Sequence, residues 1–178
     1  MLDARHWQSG DTGFDASNPF RNSNAYYFLP TEDEWVKAAY WNGTNLQTWA
    51  RIGDLRPGQL GCNYYYYDYA TDPAGLWAAT NGSSELNGTK NMMGNVWEWM
   101  ETPYYSGDDV ADARRAFRGG SYARVGLGGW FVIQSSYRGP DFPHSEDYDV
   151  GFRVASLPEP CSLVLLGLGG LALRLRKR

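Results

Sequence analysis

The reading of the fold turns on Gly94-Asn95-Val96-Trp97-Glu98-Trp99. A single carboxylate stands between two large indole rings, just after a glycine-asparagine pair. Trp97 and Trp99 are candidates to fill a core, and Asn95 to Glu101 reads as a strand. Further strand-like segments follow at Ala116–Tyr122, Trp130–Tyr137 and Val150–Ser156, separated by glycine, proline and acidic loops. The pattern predicts a small irregular sheet in an α+β fold with little regular secondary structure.

Upstream, Leu29-Pro-Thr-Glu-Asp-Glu-Trp35 carries a helix start. Thr31 and Glu34 have the spacing of a capping box, and Leu29 or Pro30 can staple against Trp35. Trp35, Val36, Ala38, Ala39 and Tyr40 then lay an apolar stripe on one face, and Asn42-Gly43 marks the end. Between Gly43 and Thr89 the chain is loop-rich. Asn42-Gly43-Thr44, Asn81-Gly82-Ser83 and Asn87-Gly88-Thr89 match glycosylation sequons, but Asn-Gly is also the preferred tight-turn pair, and the turn reading is favoured. Tyr64–Tyr67 with Tyr69 is the densest aromatic run, suited either to stacking a sugar or peptide or to packing a loop on the core.

Composition sets bounds on function. The chain has 178 residues, 43% hydrophobic and 16% aromatic, enough for one packed domain and too apolar for disorder. Net charge is −4, but the stretch from Pro158 onward carries +3, so the body carries −7. An acidic body argues against nucleic-acid binding, which depends on neutralising phosphates. Cys62 and Cys161 are the only cysteines, and His6 and His144 the only histidines. These supply neither a disulfide framework nor a zinc site.

Taken in order, LPTEDEW, GNVWEW, Arg118-Gly-Gly-Ser-Tyr122 and Gly151-Phe-Arg-Val154 resemble the formylglycine-generating enzyme (sulfatase-modifying factor) family, whose fold is a variant of the C-type lectin fold. The resemblance implies a domain over residues 1–156. LPTEDEW lies near the middle of such domains, which implies that about the first half of the usual fold is missing. The family's oxidase uses two cysteines, two and seven positions beyond the RGGSY tyrosine, as soft thiolate ligands to copper. Here those positions are Arg124 and Gly129, so copper is not expected and a catalytic site is not assigned. The iron-dependent ergothioneine branch relies on histidines of an additional helical domain, and two histidines do not supply it.

The resemblance also implies calcium, which takes six to eight oxygen ligands. Carried over residue by residue, one site comprises Asn91, the carbonyls of Gly94 and Val96, and Glu98. The plainer reading has Glu98 bonded to backbone amides. A second site would use Asn63 and the Tyr64 carbonyl, with Asp68 or Asp72 downstream. Arg124, Tyr137 and Arg138 fall where relatives line their substrate groove. Arg138 could instead pair with Asp141, Glu146 or Asp147, and Arg153 brace loops near Asp149 and GNVWEW.

The C-terminus, residues 157–178, resembles a PEP-CTERM sorting tail: Pro158-Glu-Pro160, an apolar run Leu163–Leu173, then Arg174, Arg176, Lys177 and Arg178. As a helix the run would span roughly 16 Å, against a hydrocarbon core of about 30 Å. That suits a transient membrane stop with its cations on the cytoplasmic side. The resemblance implies an exosortase-type processing enzyme as partner. It also implies export to a bacterial cell envelope or extracellular matrix, by a signal peptide this chain does not show. The expected function is a non-catalytic exported or cell-surface module binding an extracellular peptide or glycan. The alternatives are an enzyme of altered chemistry in the same groove, or a fragment that does not fold alone.

Overall fold

The capping box of the first helix shows how local sequence becomes structure here. In the computed structural model, which describes residues 7–57, 61–66, 69–70, 75–108, 110, 112–123 and 129–157, helix α1 spans Glu32–Tyr40. The Thr31 hydroxyl accepts from the Glu34 N–H, and the Thr31 N–H donates back to Glu34 Oε2 at 2.8 Å. Glu32, Asp33 and Glu34 place negative charge at the positive end of the helix dipole. Trp35, Ala39 and Tyr40 are buried along one face. The helix gives way at Trp41, which is extended, one residue before the expected Asn42-Gly43 stop. Its C-terminal carbonyls are met by a distant residue: Asn87 Nδ2 donates to Ala38 O and Trp41 O, both at 3.0 Å. That bond makes Asn87 part of the fold.

Beneath α1 lies a four-stranded sheet in the order β6-β5-β4-β7. Its central strand β4 spans Trp97–Pro103 and pairs antiparallel with β5 (Arg115–Arg118), matching Glu98 to Arg118 and Trp99 to Phe117. β6 (Gly139–Asp141) continues the antiparallel ladder beyond β5, while β7 (Val150–Gly151) runs parallel to β4. Residues 97–101 are all buried, so β4 is covered on both faces. Trp97 and Trp99 do fill the core, each edge-on to Phe117, and Trp35, Tyr40, Met92, Met93, Met100 and Ile133 complete it. Two short ribbons stand apart: β1 (Tyr27–Phe28) with β8 (Ala155–Ser156), and β2 (Tyr65–Tyr66) with β3 (Tyr69–Ala70). This is an irregular α+β fold.

Three strand expectations are corrected. Ala116–Tyr122 is strand only to Arg118, because Gly119 and Gly120 turn the chain at positive φ. Trp130–Tyr137 forms consecutive turns, because its backbone bonds close locally (Tyr137 N–H to Gln134 O) or run to the loop after α1 (Ser135 N–H to Thr48 O). Val132 and Ile133 are adjacent and both buried, which the alternation of a strand forbids for a sheet with one wet face. Val150–Ser156 splits into β7 and β8, which serve different sheets. Of the expected sorting tail, residues 157–178, all but Leu157 lie outside the described residues. Among those described, no helix is long and apolar enough to cross a membrane.

Candidate functional site

The GNVWEW, RGGSY and GFRV segments converge on the start of β4 and the loop that leads into it. Glu98 is buried, and its carboxylate is the hub: Arg153 Nε donates to Oε2 at 2.5 Å, Arg153 NH2 to Oε1 at 2.6 Å, and Trp35 Nε1 to Oε2 at 2.6 Å. This two-pronged arginine–carboxylate geometry is the strong form of the pair. Arg153 also donates to Lys90 O, tying the loop ahead of GNVWEW to the same point. Arg153 does brace this segment, but through Glu98. Asp149 instead accepts from the buried Ser121 hydroxyl of RGGSY at 2.5 Å, while its carbonyl takes the Trp97 N–H.

RGGSY itself packs against the same loop. Gly94 N–H donates to Gly119 O at 2.6 Å, and Tyr122 N–H donates to Asn95 O at 3.0 Å. Gly120 needs its missing side chain: φ is 75°, and a Cβ there would lie 2.8 Å from Ile133 Cγ2 and 2.9 Å from Val132 Cγ2. Arg118, the first residue of the motif, reaches Glu32 at the helix start (2.6 Å), and Arg138 takes the other Glu32 oxygen at 2.7 Å. Arg138 therefore pairs with none of Asp141, Glu146 or Asp147. Tyr137 packs on Trp97 and Phe131, and its carbonyl accepts from Arg118. In this arrangement both residues tie α1 to the sheet. Arg124 lies outside the described residues, as do Asp68 and Asp72.

Neither remaining thiol position offers soft-ligand chemistry. Gly129, at the second family cysteine position, is buried. Cys62 is buried and its thiol donates to Met93 O at 2.9 Å. Burial, reinforced by nearby Glu85, pushes that thiol well above its ordinary range, which keeps it protonated and unreactive. Glu85 was not flagged by sequence. It is buried, accepts the N–H groups of Met92 and Met93 at 3.0 Å each, and is pushed upward by desolvation. Among the described residues, no three histidine, cysteine or acidic side chains cluster to hold a metal.

The two calcium sets differ in how well they suit an ion. Asn91 sits at φ 56° with Nδ2 on Ala79 O, Gly94 is bound to Gly119, and Val96 is half-buried. Glu98, the only carboxylate of that set, already carries a guanidinium. A dication would have to share it with Arg153 or displace it, so these four residues fit a closed ion pair better than calcium. The other set differs. Asn63 is fully buried and donates through Nδ2 to Gly75 O and Asn95 Oδ1, yet its Oδ1 receives no hydrogen bond. A buried acceptor left unpaired costs about 1–3 kcal/mol, which a cation would offset.

A cleft of about 240 Å³ opens between residues 20–29 and β4. Trp7, Phe20, Tyr27, Phe28 and Trp99 give it aromatic walls. Arg21 lies at its edge, stacked 3.8 Å over Phe28 and bonded to Glu101 and Glu34.

Residues 6–157 match the family model of the sulfatase-modifying factor enzyme 1-like domain. The chain belongs to the sulfatase-modifying factor family. It is 29% identical over 137 residues to hercynine oxygenase of Mycobacterium tuberculosis, covering 71% of this chain and 32% of that protein. It is 31% identical over 152 residues to the formylglycine-generating enzyme of Thermomonospora curvata, covering 73% of this chain and 49% of that enzyme. The chain thus spans a third to a half of the length of these relatives, which are enzymes. Among solved structures, Treponema denticola variable protein 1 superposes with a TM-score of 0.55 at 26% identity, over 74% of this chain and 48% of the other. CarF superposes at 0.57 and 23% identity, over 78% and 50%, a likeness of fold alone.

Proposed function

We propose that this sulfatase-modifying factor domain is a non-catalytic exported or cell-surface module that binds a peptide or glycan. The observation that carries this reading is the loss of paired thiols: Arg124 and Gly129 occupy the two cysteine positions, and Cys62 is spent inside the core. Cys161 falls in the expected sorting tail, which leaves Cys62 as the domain's thiol, and one inert thiol cannot form a bis-thiolate copper centre. The aromatic cleft beside β4 supports binding, since flat rings stack on sugar and peptide faces alike. Full-length protein incubated with copper and a sulfatase-type cysteine peptide is expected to yield no formylglycine by mass spectrometry. Turnover above a copper-only control overturns the reading.

Calcium is a second proposal, placed at Asn63 and the Tyr64 carbonyl because Asn63 Oδ1 is an orphaned buried acceptor. Calcium is expected to raise the melting temperature saturably, and the gain to vanish in an Asp68→Asn/Asp72→Asn variant, while Glu98→Gln keeps it. Identical melts in calcium and chelator would remove this site.

A further inference from the structure

Exposed apolar side chains gather at and around the β1–β8 ribbon. Antiparallel register pairs Tyr27 with Ser156 and Phe28 with Ala155. Tyr27 (65% exposed) lies on the ribbon, Tyr26 (50%) directly precedes β1, and Val154 (56%) and Leu157 (64%) flank β8 along the chain. Phe152, just before β8, is equally exposed. Two paired residues per strand make a ribbon of marginal stability alone, and a cluster of this kind normally marks a binding surface.

What lies against it follows from the chain's own tether. The chain leaves β8 at Leu157, and the apolar run begins at Leu163. Six residues can span at most about 20 Å, whatever path they take. If the run occupies lipid, as the membrane stop inferred from its sequence would have it, the ribbon is held within that distance of the bilayer. The acidic body makes charge attraction to anionic lipid a poor alternative. Tyrosine and aliphatic side chains, by contrast, settle well at a headgroup boundary.

We infer that the β1–β8 ribbon is the membrane-facing edge of the domain, with Tyr26, Val154 and Leu157 resting on the lipid headgroup region and Tyr27 left to the cleft it lines. The inference rests on the tail entering lipid, and the test separates the two. Full-length protein in a Cys161→Ser background carries an environment-sensitive fluorophore at Ser156→Cys or, as a control in the loop after α1, at Asn45→Cys. Phosphatidylcholine/phosphatidylglycerol vesicles are added, and flotation and emission are read together. The expected result is flotation, with a blue shift and protection from aqueous quencher at position 156 and neither at 45. A Tyr26→Ser/Val154→Ser variant should partition roughly tenfold more weakly, from the apolar area withdrawn. Flotation with position 156 still fully quenched overturns the ribbon proposal and leaves the tail reading standing. No flotation overturns both. A label at 45 shielded as strongly as that at 156 also overturns it, because the contact would not be specific to the ribbon.

Discussion

Glu98→Ala should lower the free energy of unfolding by about 3 kcal/mol, the low end of what breaking a buried ion pair costs. The low end applies because the Arg153 side chain is 29% exposed and water can partly re-solvate it. Alanine would leave Arg153 Nε and NH2 and the buried Trp35 indole N–H without their acceptor. Three elements would loosen together: α1 through Trp35, β4 through position 98, and the GFRV segment through Arg153. A double-mutant cycle makes the argument sharper. Glu98→Ala and Arg153→Met are each expected to be destabilising, whereas the double variant should recover about 1–2 kcal/mol of their sum, since removing both charges leaves none stranded. Urea denaturation of the four proteins measures this. If Glu98→Ala costs less than about 1 kcal/mol, the pair is no more than an exposed surface contact and the hub described above does not exist.

The features that sequence made legible are those settled within a few residues. The Thr31–Glu34 capping box is complete in four positions, and α1 follows it. Trp97 and Trp99 were candidates for the core as large apolar rings on one short strand, and both are buried there. Trp130–Tyr137 misled for the same local reason: its β-branched and aromatic side chains suit a strand. Its backbone, however, finds partners within turns and at Thr48, which composition cannot reveal. The ion pairs are further still from local. Glu32 meets Arg138 across the sheet, and Glu98 meets Arg153 from a separate loop. Sequence placed Arg138 among the acids nearest along the chain, whereas Arg153 was expected near Asp149 and GNVWEW, and its partner proved to be Glu98 of that motif. The family motifs did better, since they carry information about contacts that propensity lacks. They set Arg153 of GFRV beside GNVWEW, whereas the seating of RGGSY on the same loop is visible only in the structure.

At that junction Gly94→Ala should be among the most damaging single methyl additions at the described glycines. Gly94 has φ 83°, where an L residue pays about 1–2 kcal/mol in backbone strain. The added Cβ would also lie 2.2 Å from Asn63 O and 2.8 Å from its carbonyl carbon. That obstacle is backbone, so no rotamer change relieves it. The strand of chain at Asn63 must retreat, and with it the 2.6 Å bond from Asn95 N–H to Asn63 O. The neighbouring Gly94 N–H to Gly119 O bond, which seats RGGSY, would stretch as well. Strain, overpacking of about 1–3 kcal/mol and a stranded buried amide together reach roughly 3–8 kcal/mol. Against a typical domain stability of about 5–15 kcal/mol, that removes a large share of the fold. The expected observation is a sharp fall in soluble yield or the loss of a cooperative melt. Gly43→Ala supplies the control: φ is 95° there too, but nothing lies within 4 Å of the new methyl. It should cost only the backbone strain, about 1–2 kcal/mol. If the two variants melt together, the close approach of Gly94 to Asn63 contributes nothing, and the orphaned Asn63 oxygen is not held in the fixed cradle that a cation there would need.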